Sequence, residues 1–373
     1  MEAVTPLVFR GGRPFGEGSR DGGRFPWPSS TTGAWRTAWM REAGLGADRA
    51  AETLSHPVVG PFLMRKHSTG WELHVPMPAD ALRLDDGGGL VRLSPRLLPD
   101  GVGTDLPAGL LPLALPEGVG LSKPGRLPSF LPLRMLRDWD EGREVAVSDL
   151  PPNPSPFQHI RTSTHVGLER GRMAAEEGRL FQVQALDFER PRRVDGKGYE
   201  TEAWCLAVRT ASPLKSTLAT VGGERGLAWL EEADPDPLSP SEGWVEQFRQ
   251  VRRLVVTFLT PALFDGGWRP SWLGADGVGE PPGITGLRLR LVAAALGRWE
   301  GISGWDLAEW KPKPMRRAVP AGSTYWFDVE SRPDDPNWPE HVWLSSWSDS
   351  AQDRLDGWGA VLPRSITAQE IES

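Results

Sequence analysis

The side chains best equipped for chemistry in this sequence are basic ones set among glycines and prolines. His165 lies in RTSTHVGLERG, with Arg161 before it and Arg170 and Arg172 after it. An imidazole in that company can move protons while guanidiniums stabilise a pentacoordinate phosphate, as in a metal-independent ribonuclease. The commoner fate of a lone histidine beside arginines is a hydrogen-bonded structural role or a simple phosphate contact. A second cluster is KPKPMRRAVPAGS, residues 311–323. Its Lys311, Lys313, Arg316 and Arg317 are stiffened by Pro312 and Pro314, so less entropy is lost when the charges meet a phosphate chain. Gly322 and Ser323 offer backbone and hydroxyl donors there. The alternative is a loop kept soluble by charge, but four cations within seven residues of an acidic protein favour phosphate. VGGERG, residues 221–226, sets Gly222, Gly223 and Arg225 in a glycine-rich loop, whereas PRRVDGKG at 191–198 reads as a solvated turn.

Several signatures are absent. There is no GxxxxGK[ST] phosphate loop, no HExxH, no GxSxG elbow and no CxxC pair, so an ATPase, zinc protease or serine hydrolase lacks its usual support. The acidic pairs Asp85-Asp86 and Asp334-Asp335 sit in Gly- or Pro-rich loops and read as solvated turns. Neither a metal site nor a cofactor is expected.

The 42 basic and 49 acidic residues give a net charge of -7, which argues against a free-standing nucleic-acid binder. Any such contact must be local or shared with partner subunits. The single cysteine, Cys205, excludes an internal disulfide and points to a reducing cytoplasm. The start MEAVTPLVFRGG lacks a signal-peptide pattern, and the apolar run at 254–264 is too short to span a bilayer. The 18 tryptophans, against 2 tyrosines, read as core and interface anchors rather than base-stacking platforms.

These residues need elements to position them. Residues 4–9 read as a strand leading into a Gly-Arg loop, whose arginine tips can share an anionic ligand. Ser30, Thr31 or Thr32 can cap a helix from about Gly33 to Glu42, which puts Arg36 near a helix N-terminus, an end favourable to phosphate. A short helix at about 47–55 follows, then a hairpin made of VVGPFLMR and WELHVPMP. Strand, helix and hairpin form the first half of a ferredoxin-like βαββαβ unit. From about 81 to 155 the periodicity dissolves into a long insertion of loops. HIRTSTHVGLE, LFQVQALDFE and AWCLAVRT read as strands, FRQVRRLVVTFLTPALF as helix or strand, and GLRLRLVAAAL and STYWFDVE as strands. The stretch 265–283 reads as disordered, and 331–373 as a helical edge with a polar tail.

PLVFRGGRPFG, FPWPSSTTGAWRTA, VVGPFLMR with HVPMPAD, THVGLERGRMAAEEGRLFQVQ, VGGERGLAWL and GWDLAEWKPKPMRRAVPAGSTYWF occur in that order, from residue 5 to about 328. The succession resembles the third Cmr protein, a RAMP-superfamily subunit of type III-B CRISPR effector complexes. One departure is Gly11, where the family usually carries an acidic residue. The resemblance implies an α+β fold of two ferredoxin-like (RRM-like) units with long loop or hairpin insertions, here 1–155, with its insertion at about 81–155, and 156–373. It implies a non-catalytic subunit gripping the 5′ handle of the CRISPR RNA (crRNA). Its partners would be the large polymerase-like subunit and the backbone subunit that cuts target RNA, with no membrane involved. An inserted hairpin is expected against the guide, for which 81–155 is the candidate. On this reading Arg10, Arg13 and Arg36 lie along the RNA, where glycines let the backbone approach and arginines reach phosphates or stack on bases.

Overall fold

Proline sets where the first helix starts. Pro28 has no N–H to leave unsatisfied and a φ already close to helical, so α1 (Pro28–Glu42) begins there, earlier than the Gly33 start read from the capping residues. Thr31, Ala34, Trp35 and Ala38 of α1 are buried at helical spacing, which fixes the face laid on the core. The structure, a computed structural model, describes residues 1–11, 20–68, 70–84, 90–120, 122–151, 159–169, 171–194, 198–240, 243–306 and 311–366.

The chain opens with β1 (Glu2–Ala3), a bridging stretch at Leu7 and Val8, and β2 (Arg20–Gly22). The expected hairpin follows α1 as β3 (Val58–His67) and β4 (Gly70–Pro76). Then come β5 (Phe130–Pro132) and α2 (Leu133–Asp140). A long hairpin, β6 (His159–Glu169) with β7 (Ala174–Asp187), leads to β8 (Glu189–Val194), β9 (Gly198–Thr210), β10 (Thr217–Thr220) and β11 (Leu227–Leu230). The first large sheet has the order β8-β9-β3-β4-β5. β3 is buried along most of its length, as expected of a strand covered on both faces.

The second large sheet follows α3 (Trp244–Arg249). It joins β12 (Arg253–Phe258), β13 (Val278–Gly279), β14 (Arg288–Ala295), β17 (Thr324–Ser331) and β18 (Val361–Arg364) in the order β13-β14-β17-β12-β18. Between β14 and β17 lies a small ladder, β15 (Glu300–Ile302) against β16 (Arg316–Ala318). Sheets dominate this mixed α/β fold. One apolar cluster runs from Phe62 and Val75 of the first sheet to Leu254, Phe258 and Tyr325 of the second, and takes in Trp347 from the C-terminal region.

β9 pairs with β3 and completes the first sheet. Two expectations change. The 265–283 stretch is ordered by bridges such as Leu273↔Gly279 and by burial of Leu273 and Val278. The polar-looking end supplies α4 (Trp338–Val342), α5 (Ala351–Leu355) and the buried edge strand β18. Within the insertion a short ladder pairs Ala81–Arg83 with Leu90–Arg92, and farther on the longer β6–β7 hairpin carries Ile160, Val166, Leu168, Met173 and Leu180 toward solvent. The tryptophans do serve the interior: Trp326, Trp338 and Trp347 are fully buried, and among the described residues only Trp229 and Trp299 are strongly exposed.

Four charges lock the insertion to the second sheet. Arg364 of β18 donates through Nη1 to Asp80 at 2.8 and 3.0 Å and through Nη2 to Asp140 at 2.6 Å. Arg92 donates to the same Asp140 at 2.9 Å and to the Trp139 carbonyl at 3.0 Å, its guanidinium lying 3.6 Å from the Trp139 ring centroid. Thr257 accepts from Arg364, and Thr324 donates to Asp80. All four charged residues are buried. Removing one member strands its partners without water, so Arg364→Ala should cost about 3–5 kcal/mol in denaturant unfolding. A loss below about 1 kcal/mol would show the network to be dispensable.

Candidate nucleic-acid interface

Two groups of exposed basic side chains contain the sequence candidates, and the fold builds each from segments distant in sequence. The first is a ladder. β7 pairs with β6, Leu7 exchanges hydrogen bonds with Leu186 at 2.9 and 2.7 Å, and the Gly223 N–H donates to the Val8 carbonyl at 2.8 Å. This side-by-side run presents Arg161 on β6, Arg10 just past the Leu7–Val8 bridge, and Arg225 in the VGGERG loop. Gly222 has φ +72°, and a Cβ there would stand 2.5 Å from the Val8 carbonyl, so glycine is required for the loop to close on the opening strand. Glu224 and Arg225 also hold positive φ. Arg10 pairs with Glu224 at 2.5 Å and Arg161 with Asp187 at 3.2 Å, both in the open where such pairs are weak and exchangeable.

His165 sits on the same ladder, exposed, its ring stacked on Phe181 at 5.4 Å between centroids. Among the described residues no hydrogen bond orients its imidazole as an acid–base catalyst requires. Burial pushes the Cys205 thiol up to about 12, which removes its nucleophilic form at neutral pH.

The second group surrounds the β15–β16 ladder. Arg317 places its guanidinium 4.9 Å from the ring of Trp299, which is 52% exposed. Arg24 lies over Trp27 at 5.2 Å and pairs with Glu300 at 3.2 Å, while Trp27 packs against the Leu263, Ile302, Ala318 and Trp358 cluster. The FPWP turn and the KPKPMRR segment are therefore neighbours. Lys311 and Lys313 are exposed, and the Lys313 N–H donates to the Gly304 carbonyl. An exposed indole capped by a guanidinium, with lysines alongside, can stack a base and bind its phosphate together. Arg24 and Trp299 escaped the sequence reading, although RFPWP and GRWEG each pair an arginine with a tryptophan.

Four sequence candidates turn out to be structural or partly so. Arg36 is 8% exposed and donates to Asp356 at 2.6 Å and to the carbonyls of Leu54, His56 and Leu355, which ties α1 to the C-terminal region. The earlier helix start leaves it within α1, away from the N-terminus. Gly322 has φ +88°, and a Cβ there would stand 2.4 Å from the Met77 carbonyl. Its N–H donates to Phe258 and its carbonyl accepts from Ala79, so no backbone donor is left for a phosphate. Ser323 is buried beside it. Arg316 forms a two-point pair with Asp353 at 2.8 and 2.7 Å, and those bonds raise its already high pKa. Arg13 and Arg170 lie outside the described residues. No helix among the described residues is long and apolar enough to cross a membrane.

A sequence model described as CRISPR-associated protein (Cas_Cmr3) matches residues 1–363. The chain belongs to that family. No curated protein matches the sequence. Among solved structures, one described as the Type III-B Cmr-beta bound to cognate target RNA and AMPPnP, state 1, is similar at 15% identity with a TM-score of 0.46, covering 87% of this chain and 84% of that one. Another, the Type III-B Cmr-beta bound to cognate target RNA, is similar at 16% identity with a TM-score of 0.45, covering 87% and 85%.

For this family member the fate of Arg36 can be decided by one substitution. Arg36→Gln removes a buried charged hydrogen-bond hub and should cost about 1.5–3 kcal/mol of stability, visible as a lower melting temperature. Weaker RNA retention with an unchanged melt would return Arg36 to the RNA surface.

Proposed function

We propose that this chain is a non-catalytic RNA-binding subunit of a type III-B CRISPR effector complex in the cytoplasm. It grips the 5′ handle of the crRNA and bridges the large polymerase-like subunit to the backbone subunit, with target RNA met at the level of the whole particle. The two large sheets serve as ferredoxin-like units that present the two basic groups. Membership of the Cas_Cmr3 family supports the setting. The observation that carries the RNA reading is the exposed Trp299–Arg317 stack, in a segment that also exposes Lys311 and Lys313, on a body whose net charge is -7.

Localised cations on an acidic body mean that the subunit alone attracts RNA weakly and gains its hold in the assembly, where neighbours complete the path. The sheet ladder of Arg161, Arg10 and Arg225 fits the sugar-phosphate chain, and the tryptophan platform fits an unstacked base. Glycines at 222 and 223 let RNA approach the loop backbone closely.

In the assembled complex, replacing Lys311, Lys313 and Arg317 by Ala should lower guide retention and flatten its salt dependence by roughly one unit of slope for every phosphate that the variant no longer neutralises. Unchanged retention and slope would remove this surface from the guide path. The isolated subunit incubated with repeat RNA without metal should leave it intact. Site-specific cutting abolished by His165→Ala would instead make the chain a processing ribonuclease.

A further inference from the structure

The β3–β4 hairpin holds a feature that the RNA reading leaves unused. His67, at the end of β3, and Glu72 and His74, alternate residues of β4, fall on one face. The register sets Arg65 opposite Glu72 and Leu63 opposite His74, so odd positions of β3 share a side with even positions of β4. The ligand atoms of all three converge: His67 Nε2 is 2.8 Å and His74 Nε2 3.6 Å from Glu72 Oε2, and all lie within 4.8 Å of one another. Yet none of these three buried atoms makes a hydrogen bond of acceptable geometry. His74 is 2% exposed, so its Nε2 is shut away from water. The three atoms face one another across the same small space, in ion-pair contact but without well-formed hydrogen bonds.

We propose that His67, Glu72 and His74 form a binding site for a zinc-like divalent transition cation. Ligands at about 2.0–2.1 Å from a tetrahedral zinc stand about 3.3 Å apart; two of the three separations, 2.8 and 3.6 Å, straddle that edge length, and the third lies within 4.8 Å. Two imidazoles and one carboxylate suit zinc and its neighbours, whereas magnesium and calcium prefer all-oxygen shells. The surroundings are arranged for it. Arg134 of α2 holds the other carboxylate oxygen, Oε1, at 2.5 Å, which fixes Glu72 with Oε2 turned to the histidines. Trp204 of β9 meets the His74 ring edge-on at 4.7 Å and limits its rotation. Charge does not oppose the cation: Arg65 is paired with Glu202 at 2.7 Å and Arg134 with Glu72, so two guanidiniums are matched by two carboxylates. His67, partly exposed, marks the side from which an ion enters. Three protein ligands leave a fourth position for water. All three ligands belong to the hairpin, so the ion would brace its turn end, with Arg134 of α2 and Trp204 of β9 packed against the ligands. It does not rest on the RNA-binding reading.

The test uses the full chain without a histidine tag, stripped with chelator and titrated calorimetrically with Zn²⁺. About one equivalent should bind, with a raised melting temperature, and Mg²⁺ should produce neither effect. His67→Ala and Glu72→Gln, at partly exposed positions, should weaken Zn²⁺ binding at least tenfold and abolish the melting shift. Absence of stoichiometric binding, or equal binding by both variants, would overturn the proposal. If a variant does not fold, Co²⁺ loaded into the wild-type chain decides: tetrahedral absorption without a thiolate band supports the site, and an octahedral spectrum refutes it.

Discussion

The structure depends on a knot of four buried charges. Asp80 and Asp140 are each held by Arg364, Arg92 reaches both carboxylates, and Trp139 covers the two guanidiniums. Two carboxylates and two guanidiniums cancel one another, so the interior carries no net charge, but each ion has surrendered its water. Such a cluster is tolerable only when every member is present and aligned. That demand acts as a registration device. Asp80 follows β4, Arg92 and Asp140 belong to the insertion, and Arg364 belongs to the last strand, so the knot closes only when all these regions have arrived. Burial alone would lower the pKa of the Arg364 guanidinium, and the facing Asp140 and Asp80 raise it instead, consistent with a charge that is retained on folding.

Around that knot the fold separates charges that build from charges that meet solvent. The close approach of Gly322 to Met77 and the hub formed by Arg36 and Asp356 repeat the same theme, joining the first sheet and α1 to the C-terminal half. Arg316 stands between the two classes, held by Asp353 yet partly open. What remains for a ligand is the Arg317–Trp299 stack with its lysines and the ladder edge of Arg161, Arg10 and Arg225. A rigid frame lets so few cations suffice, because positions fixed in advance lose little entropy on binding.

Much of this was legible in the sequence where local physics decides. The β3–β4 hairpin and the strands at 159–169, 203–210 and 288–295 followed from periodicity. The start of α1 was misread because Ser30 and the threonines are good caps, while Pro28 and Trp27 had already begun the turn. The structural roles of Arg36, Arg316 and Gly322 were hidden for a different reason. Their partners, Asp356, Asp353 and Met77, lie 320, 37 and 245 positions away, and cation type says nothing about whether a carboxylate waits across the fold. The His67–Glu72–His74 cluster was hidden because alternation across a hairpin, unlike HExxH on a helix, leaves no compact signature. The aromatic half of the basic surface was hidden by counting tryptophans as core, which holds for most of them and fails for Trp299.

The claim that matters most is that the leading end of the guide lies on these exposed side chains. The most direct measurement is a crosslinking map of the assembled particle, with photoreactive nucleotides in the 5′ handle and the attached peptides identified. The account predicts attachment to the peptides around Arg24 and Trp27, Trp299 and residues 311–317, and to the loop at Gly222–Arg225. Attachment confined to other subunits, with these peptides unmodified, would contradict it.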